Sequence, residues 1–268
     1  MKKTVLFALL LPLALTACGG RDYLLKEGQT EITVAVSPTP HGVIMEKAAE
    51  ILEADGYTVK VNVFTDYVLP NLATESGEVA ANYFQHLPYL EDFNKNNKTH
   101  LVSVVAVHYE PLGIYAGLKS DLANVESGDI IAVPNDTTNE ARSLLLLEAQ
   151  GLITLKQGVG LEATKLDIID NPFNLDIVEL AAAQITNALQ DVDFAVVNGN
   201  YALAAKLPSA LVLESKDSLA ATTYANLLVV RDGNQNHPAI KALADVLTSE
   251  AIKEFIVDTF GDAVVPVF

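Results

Sequence analysis

An α/β protein built as two lobes, with the chain crossing between them twice, is the fold class the sequence predicts, and three observations predict it. Short β-branched runs alternate with longer amphipathic ones along most of the chain, the pattern of strands joined by crossover helices in mainly parallel sheets. Two stretches, around 110–118 and around 220–226, interrupt apolar strands with Pro, Gly and polar residues, as passages between lobes would. The 268 residues suffice for one large or two ordinary domains. With one cysteine in the chain, no internal disulfide is possible and each lobe must hold by its core.

The N-terminus is read first. Lys2 and Lys3 precede an apolar run over 5–15 and then Leu15-Thr16-Ala17-Cys18-Gly19. A basic start, a short hydrophobic segment and small residues at a cut describe a secretory signal, and the run is too short to span a bilayer core of about 30 Å. Leu-x-Ala-Cys before Gly resembles the lipobox of bacterial lipoproteins. Residues 1–17 are therefore expected to be removed, leaving Cys18 as a lipidated N-terminus and 18–30 as a linker. With 17 Lys+Arg against 34 Asp+Glu the chain carries a formal charge of −17, which excludes nucleic acid as a partner and repels anionic headgroups. Attachment is then expected through acyl chains, with the body facing the periplasm or the cell exterior.

Element by element, alternation over 31–36 reads as a strand, and Thr39-Pro40 as the opening of a helix ending at Gly56. A second strand covers 58–64. Further strands are expected over 101–107, 112–118, 130–133, 165–169, 176–180, 193–197, 211–213 and 226–230. Helices are expected over 139–150, 179–189 and 238–260. The first lobe would comprise 31–115 with 225–268, and the second 116–224. An exported α/β protein with two lobes and a double hinge suits a solute receptor, whose ligand sits where loops and helix N-termini converge.

Three clusters supply candidate binding residues. In Val133-Pro-Asn-Asp-Thr137-Thr-Asn139-Glu140-Ala-Arg142, Thr137 and Glu140 have capping-box spacing. Arg142, a cation near a helix N-terminus, asks for an anionic partner; a ligand carboxylate and an Asp or Glu of the chain itself both qualify. Tyr67, Phe84, His86 and Tyr89 place aromatic rings in loops before helices, where they could pack against a polarisable thioether or simply fill the core. Asn198, Tyr224 and Asn226 follow a strand or flank the second crossing. An Asn amide can both donate to a carboxylate and accept from an ammonium, although Asn is common in turns for conformational reasons.

These stretches, FTDYVLPNLA, ANYFQHLPYL, EPLGIY, PNDTTNEARSLLLLEAQGLITLKQGVG, LDIIDNP, DFAVVNGNYAL and YANLLVV, resemble the NlpA/MetQ family of methionine-binding lipoproteins, receptor components of methionine ABC importers. The resemblance runs from about residue 31 to the C-terminus. It implies a periplasmic-binding-protein-like architecture of type 2, a methionine ligand (L or D) and two partners, a membrane permease and its ATP-hydrolysing subunit. It further implies that Arg142 binds the ligand carboxylate, that Asn198 and Asn226 bind its amino and carboxylate groups, and that Tyr67, Phe84, His86 and Tyr89 surround the thioether. Asn139 and Glu110 match positions near the family's cleft. The chain departs from the family pattern at Thr137, where Pro is usual, and at Glu140, which is expected to bring a negative charge near the carboxylate site.

Other functions fare less well. No Gly-x-Ser-x-Gly elbow or Ser-x-x-Lys motif is present, and no evident acid–base pair; no enzyme activity and no cofactor are expected. A metal-binding receptor would have to draw on His41, His86 and His108 with Asp66 or Glu110, but no histidine spacing marks a ligand set, and no metal site is expected. Receptors for a methionine-containing dipeptide or another amino acid, and a surface lipoprotein without a small ligand, remain as alternatives.

Overall fold

The computed structural model describes residues 24–215 and 223–268; the signal segment, Cys18 and the first part of the linker lie outside these. Two sheets organise the chain, each with its own core. The first draws on β1 (Glu31–Val36), β2 (Thr58–Val63), β3 (Ala81–His86), β4 (Leu101–Tyr109), β12 (Asn226–Arg231) and β13 (Val265–Pro266), in the order β13-β4-β12-β3-β1-β2. The second draws on β5 (Gly113–Ala116), β6 (Ile130–Pro134), β9 (Asp176–Leu180), β10 (Phe194–Val197) and β11 (Val212–Leu213), in the order β11-β5-β10-β6-β9. A small pair, β7 (Thr154–Leu155) and β8 (Ile168–Asp170), stands apart.

The sheets are more mixed than the β-α alternation predicts: the short C-terminal β13 is antiparallel to β4, and two further exceptions share a cause. β1 is parallel to β2 and β3, and β6 is parallel to β9 and β10. β12, however, is antiparallel to both β3 and β4, and β5 is antiparallel to β10 and β11. Both are the strands on which the chain enters a lobe from its neighbour. The parallel strands end at the cleft, so a chain arriving through the cleft starts at that end and must run the opposite way.

Helix α1 (Val43–Glu53) turns Ile44, Met45, Ala48 and Leu52 onto the first sheet, where they meet Ile32, Val34, Tyr83, Leu228 and Ile240. In the second lobe Leu144 and Leu147 pack with Ile131, Val133, Ile177, Phe194 and Val196. Each such side chain, fully withdrawn from water, contributes about 1.5–3 kcal/mol. Each sheet thus has a hydrophobic core of its own.

Several boundaries differ from the sequence reading. Pro40 does not open α1: the Thr39–Pro40 peptide is cis, Thr39 is extended at φ −146° and ψ 141°, and α1 starts at Val43. An extended residue before Pro is what the pyrrolidine ring imposes. The stretch 179–189 splits into the end of β9 and a shorter helix, Ala182–Ala188. The stretch 238–260 is two helices, Pro238–Leu247 and Glu250–Phe260, the second capped by Ser249. Lys165–Asp167 forms a 3₁₀ turn before β8. No helix among the described residues is long and apolar enough to cross a membrane.

Candidate functional site

β3 is the element the sequence hides. Its residues, Ala-Asn-Tyr-Phe-Gln-His, lack apolar alternation, yet all six are buried. The polar members are satisfied by one another and by helix α2 (Leu69–Glu75). Asn71 Nδ2 donates to Gln85 Oε1 at 2.9 Å, Gln85 Nε2 to Asn82 Oδ1 at 2.7 Å, and Asn82 Nδ2 to Thr74 Oγ1 at 2.7 Å. A fully paired buried network of this sort rigidifies the strand. Phe84 and His86 are thus held on a central strand and not, as expected, in a loop.

His86 caps helix α3 (Leu87–Asn97), its Nδ1 accepting from the Tyr89 backbone at 3.2 Å. The proton therefore resides on Nε2, which faces Asn139 Oδ1 of the other lobe at 3.3 Å. Burial, reinforced by the charge of Arg142, lowers the imidazole pKa to about 3 and keeps the ring neutral. Around it Tyr67, Phe84 and Tyr89 form an aromatic wall with centroids 5.8–6.0 Å apart, within the range where edge and tilted contacts are attractive.

The facing wall begins at helix α4 (Thr137–Ala149). Its cap is Asp136 and not Thr137: Asp136 Oδ1 accepts from Asn139 N at 3.0 Å and from Asn139 Nδ2 at 2.8 Å. Glu140 accordingly does no capping and points away from the cleft, accepting from Lys165 N at 2.9 Å. The expectation that it charges the carboxylate site is corrected. Asn198 caps the short helix α6 (Gly199–Ala204) by position and donates from Nδ2 to Asn139 Oδ1 at 2.9 Å. Its own Oδ1 is buried and has no partner among the described residues, an acceptor that a ligand donor would satisfy.

Arg142 is paired with the chain's own acid. Its Nε donates to Glu214 Oε1 at 2.8 Å, and its Nη2 donates to Glu214 Oε2 and, at 2.9 Å, to the Glu110 carbonyl. The guanidinium lies 4.2 Å from the Tyr224 ring centroid, so Tyr224 supports Arg142 from beneath. Glu214 also accepts from Tyr109 Oη and from Leu112 N, each at 2.9 Å.

Glu110, at the first crossing, anchors a chain of buried groups. Its Oε1 accepts from His108 Nε2 at 2.8 Å and lies 3.3 Å from His41 Nε2, which in turn sits 2.9 Å from Asn226 Oδ1. Tyr83 Oη bonds the other nitrogen of His108. Burial lowers the pKa of His41 to about 4, against the pull of Glu110, and that of His108 to about 3; it raises that of Glu110. The ligand atoms of His41, His108 and Glu110 lie within 4.8 Å of one another, while His86 and Asp66 are outside this group. Hydrogen bonds account for each of the approaching atoms, which reads as a scaffold for Glu110 and Asn226. Gly199 packs on this carboxyl: a Cβ there would come within 2.8 Å of Glu110 Cβ and 3.0 Å of its Oε2.

One pocket collects these groups. Tyr67, Phe84, Gln85, His86, Tyr89, Glu110, Asn139, Arg142, Asn198, Gly199, Asn200 and Asn226 line at most about 360 Å³ of unfilled space, at the lower end of small-molecule sites. Tyr224 is behind Arg142 and not among the lining residues. The lobes meet across the pocket: Tyr67 Oη donates to Asn200 Oδ1 at 2.6 Å, and Tyr201 Oη donates to the Thr65 carbonyl at 3.1 Å. Sequence reasoning held Asn200 and Tyr201 within the Asn198 cluster without giving them a role, and missed Glu214, which carries no local signal.

A profile of the NlpA lipoprotein family matches residues 32–268. The methionine-binding lipoprotein MetQ of Bacillus subtilis is 40% identical over 273 residues, covering 100% of this chain and 99% of that protein. Among solved structures, a nutrient binding protein from Burkholderia cenocepacia bound to methionine is 42% identical, with a TM-score of 0.83 over 88% of this chain and 100% of that one. A periplasmic substrate-binding protein of an ABC transporter from Coxiella burnetii is 40% identical, with a TM-score of 0.82 over the same shares. The two lobes, their mixed sheets and this likeness along the whole described body agree: the chain belongs to the NlpA lipoprotein family.

Proposed function

We propose that this protein captures methionine, L or D, in the cleft between its lobes and delivers it to an ABC import permease with its ATP-hydrolysing subunit, while lipid at Cys18 holds it to the membrane. It acts by binding and not by catalysis. The observation that carries this reading is the asymmetry of the pocket. An aromatic wall of Tyr67, Phe84 and Tyr89 faces Arg142, Asn139 and Asn198, with an unpartnered buried oxygen among them. A thioether gains from the first wall and a zwitterion from the second. The names of the relatives, and the methionine in the Burkholderia cenocepacia structure, support the same ligand.

In this reading the ligand touches both lobes and so favours the closed state, which the permease would recognise. The expected boundary at 115/116 moves back to the start of β5, which pairs in the second sheet: residues 31–112 with 225–268 form one moving body and 113–224 the other. Calorimetric titration of protein beginning at Gly19, unfolded and refolded to strip carried-over ligand, tests the proposal. Saturable binding of L- or D-methionine with weak binding of leucine, alanine and glycyl-methionine is expected. A folded protein silent toward every methionine compound would refute it.

A further inference from the structure

Two carboxylates flank the pocket, and they are placed for opposite tasks. Glu110 lines it. Glu214 stands behind Arg142 and accepts from four donors: two nitrogens of the guanidinium, Tyr109 Oη and Leu112 N. Its side chain is only 10% exposed, and it joins both crossings, since Tyr109 and Leu112 flank the first and Glu214 begins the second. A carboxylate so saturated is part of the built site. Among the described residues, Nε and Nη2 of Arg142 are thus committed, the latter to both Glu214 and the Glu110 carbonyl, and Nη1 is the nitrogen left for a ligand.

Charge follows the same division. The guanidinium's positive charge is balanced by Glu214 at contact distance, so an entering carboxylate meets a nearly neutral ion pair and a single nitrogen where a free fork would offer two parallel bonds. An entering ammonium meets the Glu110 carboxyl and the Oδ1 of Asn198, which has no partner among the described residues. We infer that Glu214 is a specificity-determining residue: by holding Arg142 through Nε and Nη2 it weakens carboxylate recognition, so that the site reads chiefly the ammonium end of its amino-acid ligand and tolerates a blocked carboxylate better than a blocked amine. This deepens the receptor reading above and rests on it.

The test is a set of titrations on the detergent-solubilised mature chain with methionine of the enantiomer it binds, its primary amide and its N-acetyl derivative. The amide should bind within about tenfold of methionine, and the N-acetyl form should be weaker by about a hundredfold, the loss of one to two charge-assisted contacts. Glu214→Gln, which frees part of the fork, should raise the preference for methionine over its amide by about tenfold, one such contact. If Glu214 served structure alone, Glu214→Gln would weaken all three ligands alike. The inference is overturned if the parent rejects the amide as strongly as the N-acetyl form, or if folded Glu214→Gln keeps the parent's preference. Should Glu214→Gln not fold, the parent's ranking decides alone. Failure of all three ligands to bind the parent would instead refute the receptor reading itself.

Discussion

The two walls of the pocket are built on different physics. On one side Tyr67, Phe84 and Tyr89 meet through their rings, with hydrogen bonds confined to the two hydroxyls, and the attraction is spread over many individually weak atom pairs. On the other, Asp136, Asn139, Asn198, Arg142 and Glu214 are joined by hydrogen bonds of 2.8–3.0 Å in which nearly every donor is assigned. The first wall should bend to a conservative replacement. The second should fail in steps, because a buried polar group that loses its partner costs its whole desolvation penalty.

Removing Arg142 gives the sharpest contrast. Arg142→Ala strands Glu214 with Tyr109 and Leu112 as its remaining donors among the described residues. Breaking a buried pair from one side costs about 3–5 kcal/mol, and denaturant unfolding should show it as a lower midpoint, with methionine affinity falling as well. An unaltered midpoint would mean that the pair contributes nothing to the fold.

Acid probes the groups that stand behind both walls. His41, His86 and His108 have folded pKa values lowered to about 4, 3 and 3 from the unfolded 6.5, so they stay neutral in the fold and take up protons first when unfolded. Their contribution is complete above pH 6.5 and is lost as the pH falls from 6.5 toward 4 for His41 and toward 3 for His86 and His108. Glu110, raised by burial, works in the opposite direction and recovers part of it as it protonates. The melting temperature should therefore decline over that window, with up to about 1.4 kcal/mol per pH unit from each histidine. A flat profile from pH 7 to 5 would contradict the neutral assignment.

Asn198→Ala deletes the unpartnered acceptor and one donor to Asn139. Methionine affinity should fall by about 1–3 kcal/mol with the aromatic wall intact, which calorimetry would register. Phe84→Leu, by contrast, keeps an apolar side chain of similar reach, and its cost in stability should stay below about 1.5 kcal/mol. If Phe84→Leu were the more damaging of the two to binding, the proposed difference between the walls would be reversed.

Much of the scaffold was legible because its signals are local. β1 covers the residues its alternation marks, β9 matches 176–180, and α4 follows the strand that ends at Pro134. The aromatic cluster and the Asn139–Arg142 motif were equally visible, since strand ends and helix starts bring such residues to one edge of a sheet. β3 was not, because its burial is compensated by side-chain pairing with Asn71 and Thr74, and hydrophobic pattern carries no record of such pairing. Nor was the reversed direction of β5 and β12, which depends on where the chain re-enters a lobe.

By itself the sequence determined an acidic, single-cysteine α/β chain with a lipobox-like N-terminus, two interruptions that divide it and an arginine in need of an anion. Only the tertiary structure decided which anion that is. Glu214 lies 72 residues from Arg142, and its approach is set by the docking of β11 on β5. Short-range propensity acts over a few residues, whereas a buried ion pair exists only where independent elements converge, and that convergence is a property of the assembled cores.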